Sequence, residues 1–341
     1  MRGSPKPNWE SSLHRKGARP YRIERDGVME KWQVRTDLAI EAVAQFMDGN
    51  KKSKNGVRVK EEEIKGVAVT TVDIAPEAQK SSGKKAGRYI SMETQSIISG
   101  EQKEQETVME VFGKKLLSLL KHKGLKDSST CLVIGLGNEH VTPDSLGPKV
   151  VGEIVVTRHL YEFSPEEVDT HYREVSALAP GVMGMTGIET FDVVESVVKK
   201  TAPDFLIVVD ALASRAVSRV NRVIQMTDTG ISPGSGVGNR RKAVNSESLG
   251  IPVIAIGVPT VVDAVSITHD TVDLISSRLP DHGGELGEMD DAQKRQLIGE
   301  ILSENGYNMI VTPKDIDTEI EDLAALLSRG INQALHPRVS F

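Results

Sequence analysis

The apolar and polar positions of this 341-residue chain fall into strand-like and helix-like stretches that alternate through its second half. Short uninterrupted apolar runs at Cys131–Ile134, Phe205–Val209 and Ile251–Val258 have the length of strands buried on both faces. Asn221–Thr227 reads as another strand. Glu104–Lys123 carries Val108, Val111, Phe112, Leu116, Leu117 and Leu120 at helical spacing. Gly147–His159, Asp192–Lys200 and Val262–Ser276 predict further helices, and most of the chain beyond Gln293 is helical in pattern. Strands alternating with helices predict an α/β fold, a doubly wound, mostly parallel sheet.

The first third has another texture. Val34–Met47 predicts a helix capped by Thr36 or Asp37. Val57–Lys60, Gly66–Ile74 and Arg88–Glu93 alternate or carry β-branched residues, so residues 57–93 predict a small additional antiparallel element. The basic stretch Lys80–Arg88 is read as its hairpin loop, with anion contact as the alternative. Met1–Gln33 has eight Lys and Arg against four Asp and Glu and no apolar periodicity, which predicts disorder. The expected organisation is a disordered N-terminal extension followed by one α/β domain.

Composition narrows the classes. The chain is 38% hydrophobic and only 4% aromatic, so aliphatic residues must fill its core. A net charge of −6 gives no general affinity for nucleic acid, although the basic tail keeps a non-catalytic, DNA-associated factor open as an alternative. The single cysteine, Cys131, excludes an internal disulfide and sits in an apolar run, where it packs. No run has the length of a membrane span and the N-terminus lacks the apolar region of a secretory signal. The expectation is a cytoplasmic protein without membrane contact.

The candidate chemistry centres on Cys131–Val151, CLVIGLGNEHVTPDSLGPKVV. An apolar run ends in Gly135 and Gly137, which permit a sharp turn, and a helix is expected to start near Thr142–Asp144. The Gly-Leu-Gly-Asn sequence lacks the third glycine of a dinucleotide fingerprint, whose place His140 takes. No GxxxxGK[ST], GxSxG or HExxH sequence is present, and His140, His159, His171 and His269 do not share ligand spacing. The run Phe205–Val209 brings a second acid, Asp210, to the end of its strand. Asp144 and Asp210 therefore both lie where open α/β sheets hold ligands. One carboxylate of such a pair activates water while the other protonates the scissile amide, and the shared proton separates their pKa values. Ser176–Thr190, rich in Gly and Met, is expected to cover part of the crevice.

These residues resemble the germination protease family of endospore-forming bacteria. The resemblance rests on VRTDLAIEA, VIGLGN, VTPDSLGPKVV, VSALAPGVMGMTGIET, TAPDFLIVVDALASR, DTGISPGSGVGN, LGIPVIAIGVPTVVDAV and VTPKDID, in that order over residues 34 to 341. It implies an atypical aspartic endopeptidase with Asp144 and Asp210 as catalytic acids and no cofactor or metal. It further implies a homotetramer of the forespore and spore core that degrades small acid-soluble DNA-binding spore proteins during germination, without stable nucleic-acid binding. The same resemblance implies a zymogen that cuts itself between Asp37 and Leu38. A more distant similarity, to the hydrogenase-maturation endopeptidase, implies a related core. There an acid stands six positions after a Gly-Asn pair, as Asp144 does after Asn138. Two acids and a histidine hold nickel in that family. No histidine here takes that place, and a metal-assisted endopeptidase using the same acids remains the alternative.

Overall fold

The computed structural model describes residues 36–46, 53–98, 101–164, 166, 168–169, 171–232, 241–278, 289–307 and 309–339. The expectation for Met1–Gln33 falls outside them, as do residues 233–240 of the glycine-rich loop that the sequence predicts over Thr229–Lys242 and residues 281–288 of the acidic connector that it predicts over Asp281–Gln293.

Among the described residues ten strands form one sheet: β1 (Ser53–Lys54), β2 (Val57–Ile64), β3 (Val67–Ile74), β4 (Gly87–Glu93), β5 (Cys131–Gly135), β6 (Val175–Leu178), β7 (Phe205–Ser214), β8 (Val223–Thr227), β9 (Val253–Asp263) and β10 (Ile310–Val311). Their order is β1-β2-β3-β4-β8-β9-β7-β5-β6, with β10 beside β9. The pairs β5/β6, β5/β7 and β7/β9 are parallel.

In the parallel part the alternation of side chains creates two cores. Cys131, Val133, Phe205, Ile207, Val209, Ile254 and Ile256 pack with Phe112, Leu116 and Leu120 of helix Gln102–His122 and with Leu323, Leu327 and Ile331 of helix Ile316–Leu335. Leu132, Ile134, Leu206 and Val208 point the other way, against Phe191, Val194 and Val198 of helix Thr190–Thr201. Helices thus cover both faces, which is why these strands are apolar without alternation. Each fully buried leucine here contributes about 1.5–3 kcal/mol by leaving water.

The sheet is mixed, not mostly parallel. The pairs β1/β2, β2/β3, β3/β4, β4/β8, β8/β9 and β9/β10 are all antiparallel. Two tight turns build this half. Asn55 and Gly56 have φ of 43° and 83°, and Lys65 and Gly66 have 52° and 81°, the left-handed pairs that two-residue hairpins require. The antiparallel strands over 57–93 are continuous with the parallel ones, because β4 pairs with β8 and β8 with β9.

Three further expectations change in extent. Helix Gly147–His159 is two helices, Leu146–Gly152 and Arg158–Phe163; the first stops at a glycine, and the following Val155 amide donates instead to Asn332 Oδ1 at 3.0 Å. Strand β7 runs on past Asp210 to Ser214, because β9 continues beside it through Ser214↔Val262. The first helix starts at Ala39 rather than Val34.

Candidate active site

Asp144 is carried on a loop that folds back against the end of β5. Leu136 donates its amide to Val209 O at 2.8 Å. Gly137 then takes φ of 119°, and a Cβ there would lie 2.0 Å from Asp144 O. A Cβ on Gly135 would lie 2.1 Å from Gly147 O. The glycines therefore serve close backbone approach within this loop. The turn Thr142–Asp144 is pinned by Thr260 Oγ1, which donates to Pro143 O at 2.6 Å. Asn138 donates its amide to Asp144 Oδ2 at 2.8 Å. Asp144 thus stands on an anchored turn nine residues beyond β5, not at the strand's own tip.

Asp210 lies within β7, opposite Gly257 of β9 and one position past the last residue paired to β5. It is only 7% exposed, and Ala211 donates its amide to Asp210 Oδ1 at 3.0 Å. Both carboxylates line one cleft of about 770 Å³. Burial pushes the Asp210 carboxyl well above its ordinary range, and the charges of Asp144 and Asp37 push it the same way. Asp144 is also raised, by burial, against the Asn138 hydrogen bond and the charge of Arg241. Arg241 favours the ionised form of both acids, and its buried Nε finds no hydrogen-bond partner among the described residues.

The same cleft is lined by Thr36 and Asp37. The Asp37 amide donates to Ala213 O at 3.0 Å, and the Ala213 amide returns a bond to Asp37 Oδ2 at 2.9 Å. Asp37 O accepts from Lys84 Nζ at 2.9 Å and from Gln225 Nε2 at 3.1 Å. Leu38 is fully buried against Leu212 and Val223. Farther along, the Glu41 carboxylate accepts from the amides of Arg215 and Ala216 at 2.8 and 3.1 Å, and from Arg219 Nη1 at 3.3 Å. Asp37, Asp144 and Asp210 therefore converge on one cleft although 173 positions separate the first from the last.

Sequence reasoning did not single out Lys84, Gln225 or Thr260. The basic content of Lys80–Arg88 reads as a hairpin loop or an anion contact, and Gln225 sits in an otherwise ordinary strand. The Ser176–Thr190 stretch does not line the cleft; that place belongs to Gly83–Lys85 and Thr229–Ser232.

Among the described residues no histidine or cysteine lines the cleft. Their one cluster with metal-ligand spacing is elsewhere: His269, Asp273 and Asp291. It already holds cations, since Arg295 Nη2 lies 3.1 Å from His269 Nδ1 and Lys294 Nζ lies 2.9 Å from Asp273 Oδ1. His269 itself is fully buried.

A profile described as germination protease matches residues 34–285 and 281–341. The chain belongs to the germination protease family. Its relatives include the germination proteases of Bacillus licheniformis, 47% identical over 92% of this chain and 96% of that one, and of Bacillus velezensis, 48% identical over the same shares. That of Priestia megaterium is 45% identical over 93% and 97%. Membership in the germination protease family makes the chain a peptidase of spore germination. Among the described residues no helix is long and apolar enough to cross a membrane.

Proposed function

We propose that this chain is an atypical aspartic endopeptidase in which Asp144 and Asp210 share one proton. The observation that carries the reading is the convergence of two carboxylates, one of them buried, on a single cleft. The proton belongs to Asp210, whose burial and acidic neighbours favour the neutral form. Asp144 keeps the charge, supported by the Asn138 amide and Arg241. Asp144 then takes a proton from water as it attacks the peptide carbonyl, and Asp210 delivers its proton to the departing nitrogen.

The substrates are small acid-soluble spore proteins of the forespore and spore core. The enzyme is made as a zymogen, over residues 1–37 as propeptide, and matures by cutting Asp37–Leu38. The position of Asp37 in the cleft supports this. It acts as a homotetramer on a core like that of the hydrogenase-maturation endopeptidase. Exposed apolar side chains on two packed helices, Leu274, Ile275 and Ile301, support self-association.

The test is digestion of a small acid-soluble spore protein by wild type, Asp144→Asn and Asp210→Asn, with light scattering on each. Both variants are expected to lose on the order of 10²–10⁴-fold in turnover while keeping the four-chain mass. Near wild-type turnover in either variant contradicts the dyad, and a monomer mass for wild type contradicts the assembly.

A further inference from the structure

The geometry points to Lys84 and Gln225 as the oxyanion-binding pair of this site: they hold the carbonyl oxygen of the peptide bond that is cut. The inference rests on the proposed cleavage of Asp37–Leu38 and assigns to it two groups beyond the acid dyad.

Two donors from separate elements meet on one oxygen. Lys84 comes from the connection between β3 and β4, Gln225 from β8, and both donate to Asp37 O, at 2.9 and 3.1 Å. Neither is loosely placed. Gln225 Oε1 accepts the Ala39 amide at 2.6 Å, which turns its Nε2 toward Asp37 O. Gly83, in the left-handed conformation at φ of 68°, turns the chain into Lys84, and Tyr89 Oη ties down the next residue through Lys85 O at 2.9 Å.

The choice of partners is also unusual. Lys65, Lys115 and Lys149 each find a carboxylate. Lys84, among the described residues, donates instead to two carbonyl oxygens, Thr36 O and Asp37 O. Burial pushes its pKa down, and the charges of Asp37 and Glu41 oppose this. A charged donor in so shielded a place is most valuable where negative charge develops. The reacting peptide is held from its other side by the Asp37 amide, bonded to Ala213 O.

The step balances as follows. Water adds to the Asp37 carbonyl carbon and gives a proton to Asp144. The carbonyl π pair moves onto Asp37 O, where the Lys84 ammonium and the Gln225 amide stabilise the oxyanion. The pair returns as the C–N bond breaks, and Asp210 protonates the Leu38 nitrogen. Once residues 1–37 leave, both donors face the cleft, ready for the carbonyl of a foreign peptide.

The experiment follows self-cleavage of the full chain under mildly acidic conditions by sequencing new N-termini. Wild type is expected to yield a terminus at Leu38, Lys84→Met to yield it about 10²-fold more slowly, and Lys84→Arg to recover most of the rate. A lysine that merely clamps the segment is separated by hydrogen–deuterium exchange over 34–44 in the non-cleaving Asp144→Asn background. Adding Lys84→Met there should leave protection unchanged, because Ala213 still holds Asp37. Processing of Lys84→Met within threefold of wild type overturns the inference, as does exchange that rises in proportion to the lost rate. A wild-type chain that is not cut at Leu38 removes the cleavage reading together with this one. Cleavage in Asp144→Asn removes the dyad.

Discussion

At the scale of single residues, burial makes the ionised Asp210 carboxylate a stability liability. An ordinary aspartate titrates near 3.8, and burial holds Asp210 well above that in the fold. The folded chain therefore binds this proton more tightly than the unfolded chain, and stability falls as pH rises from the unfolded value through the folded one. Asp210→Asn removes that loss. It should stabilise the protein at pH 7 by about 0.5–2 kcal/mol, the usual range of a single stabilising substitution, and the gain should vanish toward pH 4. Urea denaturation at both pH values reads this directly, and an equal effect at both would contradict it. The two acids were legible in sequence because each follows an apolar run. Lys84 and Gln225 were not, since their meaning depends on Asp37, which lies 47 and 188 positions away from them.

At the scale of elements, the loop between β5 and helix Leu146–Gly152 sets the position of Asp144. Its glycines, which permit a sharp turn in the sequence reading, give the structure its clearance against Asp144 and Gly147. Gly137→Ala places a Cβ 2.0 Å from Asp144 O in a backbone conformation with φ of 119°. The expected result is a loss of about 2 kcal/mol from overpacking and on the order of 10² in cleavage rate from misplacement of the carboxylate. Peptide cleavage and thermal unfolding of the variant measure both, and a fully active Gly137→Ala enzyme would show that the loop does not control the site. Periodicity located the strands, but their lengths came from their neighbours. The apolar run of β7 ends at Val209, yet β9 keeps it paired to Ser214 across an irregularity at Leu212/Ala213.

At the scale of the whole molecule, the cleft lies where the parallel and antiparallel parts of the sheet meet. The parallel part brings Asp144 and Asp210. The antiparallel part brings Tyr89 from β4, Lys84 from the connection before it, and Gln225 and Thr227 from β8. Alternating strands and helices predicted the first part. The second read as a separate small element, because strand order is decided by pairing across the sheet and leaves no periodic trace in β4 or β8. The segment Thr36–Ala39 closes the arrangement by bonding to both parts at once, through Ala213 on one side and Lys84 and Gln225 on the other. That double attachment explains why a segment near the start of the chain can occupy a site built by its middle.

The central claim is that one proton is shared by Asp144, which must be charged, and Asp210, which must be neutral. The pH dependence of kcat/KM for a peptide substrate tests it most directly. The account predicts a bell, with an acidic limb from protonation of Asp144 and an alkaline limb from ionisation of Asp210. Because burial raises both acids, the bell should sit above the ordinary carboxylate range. A rate that rises with pH and then stays flat through the alkaline range would contradict it.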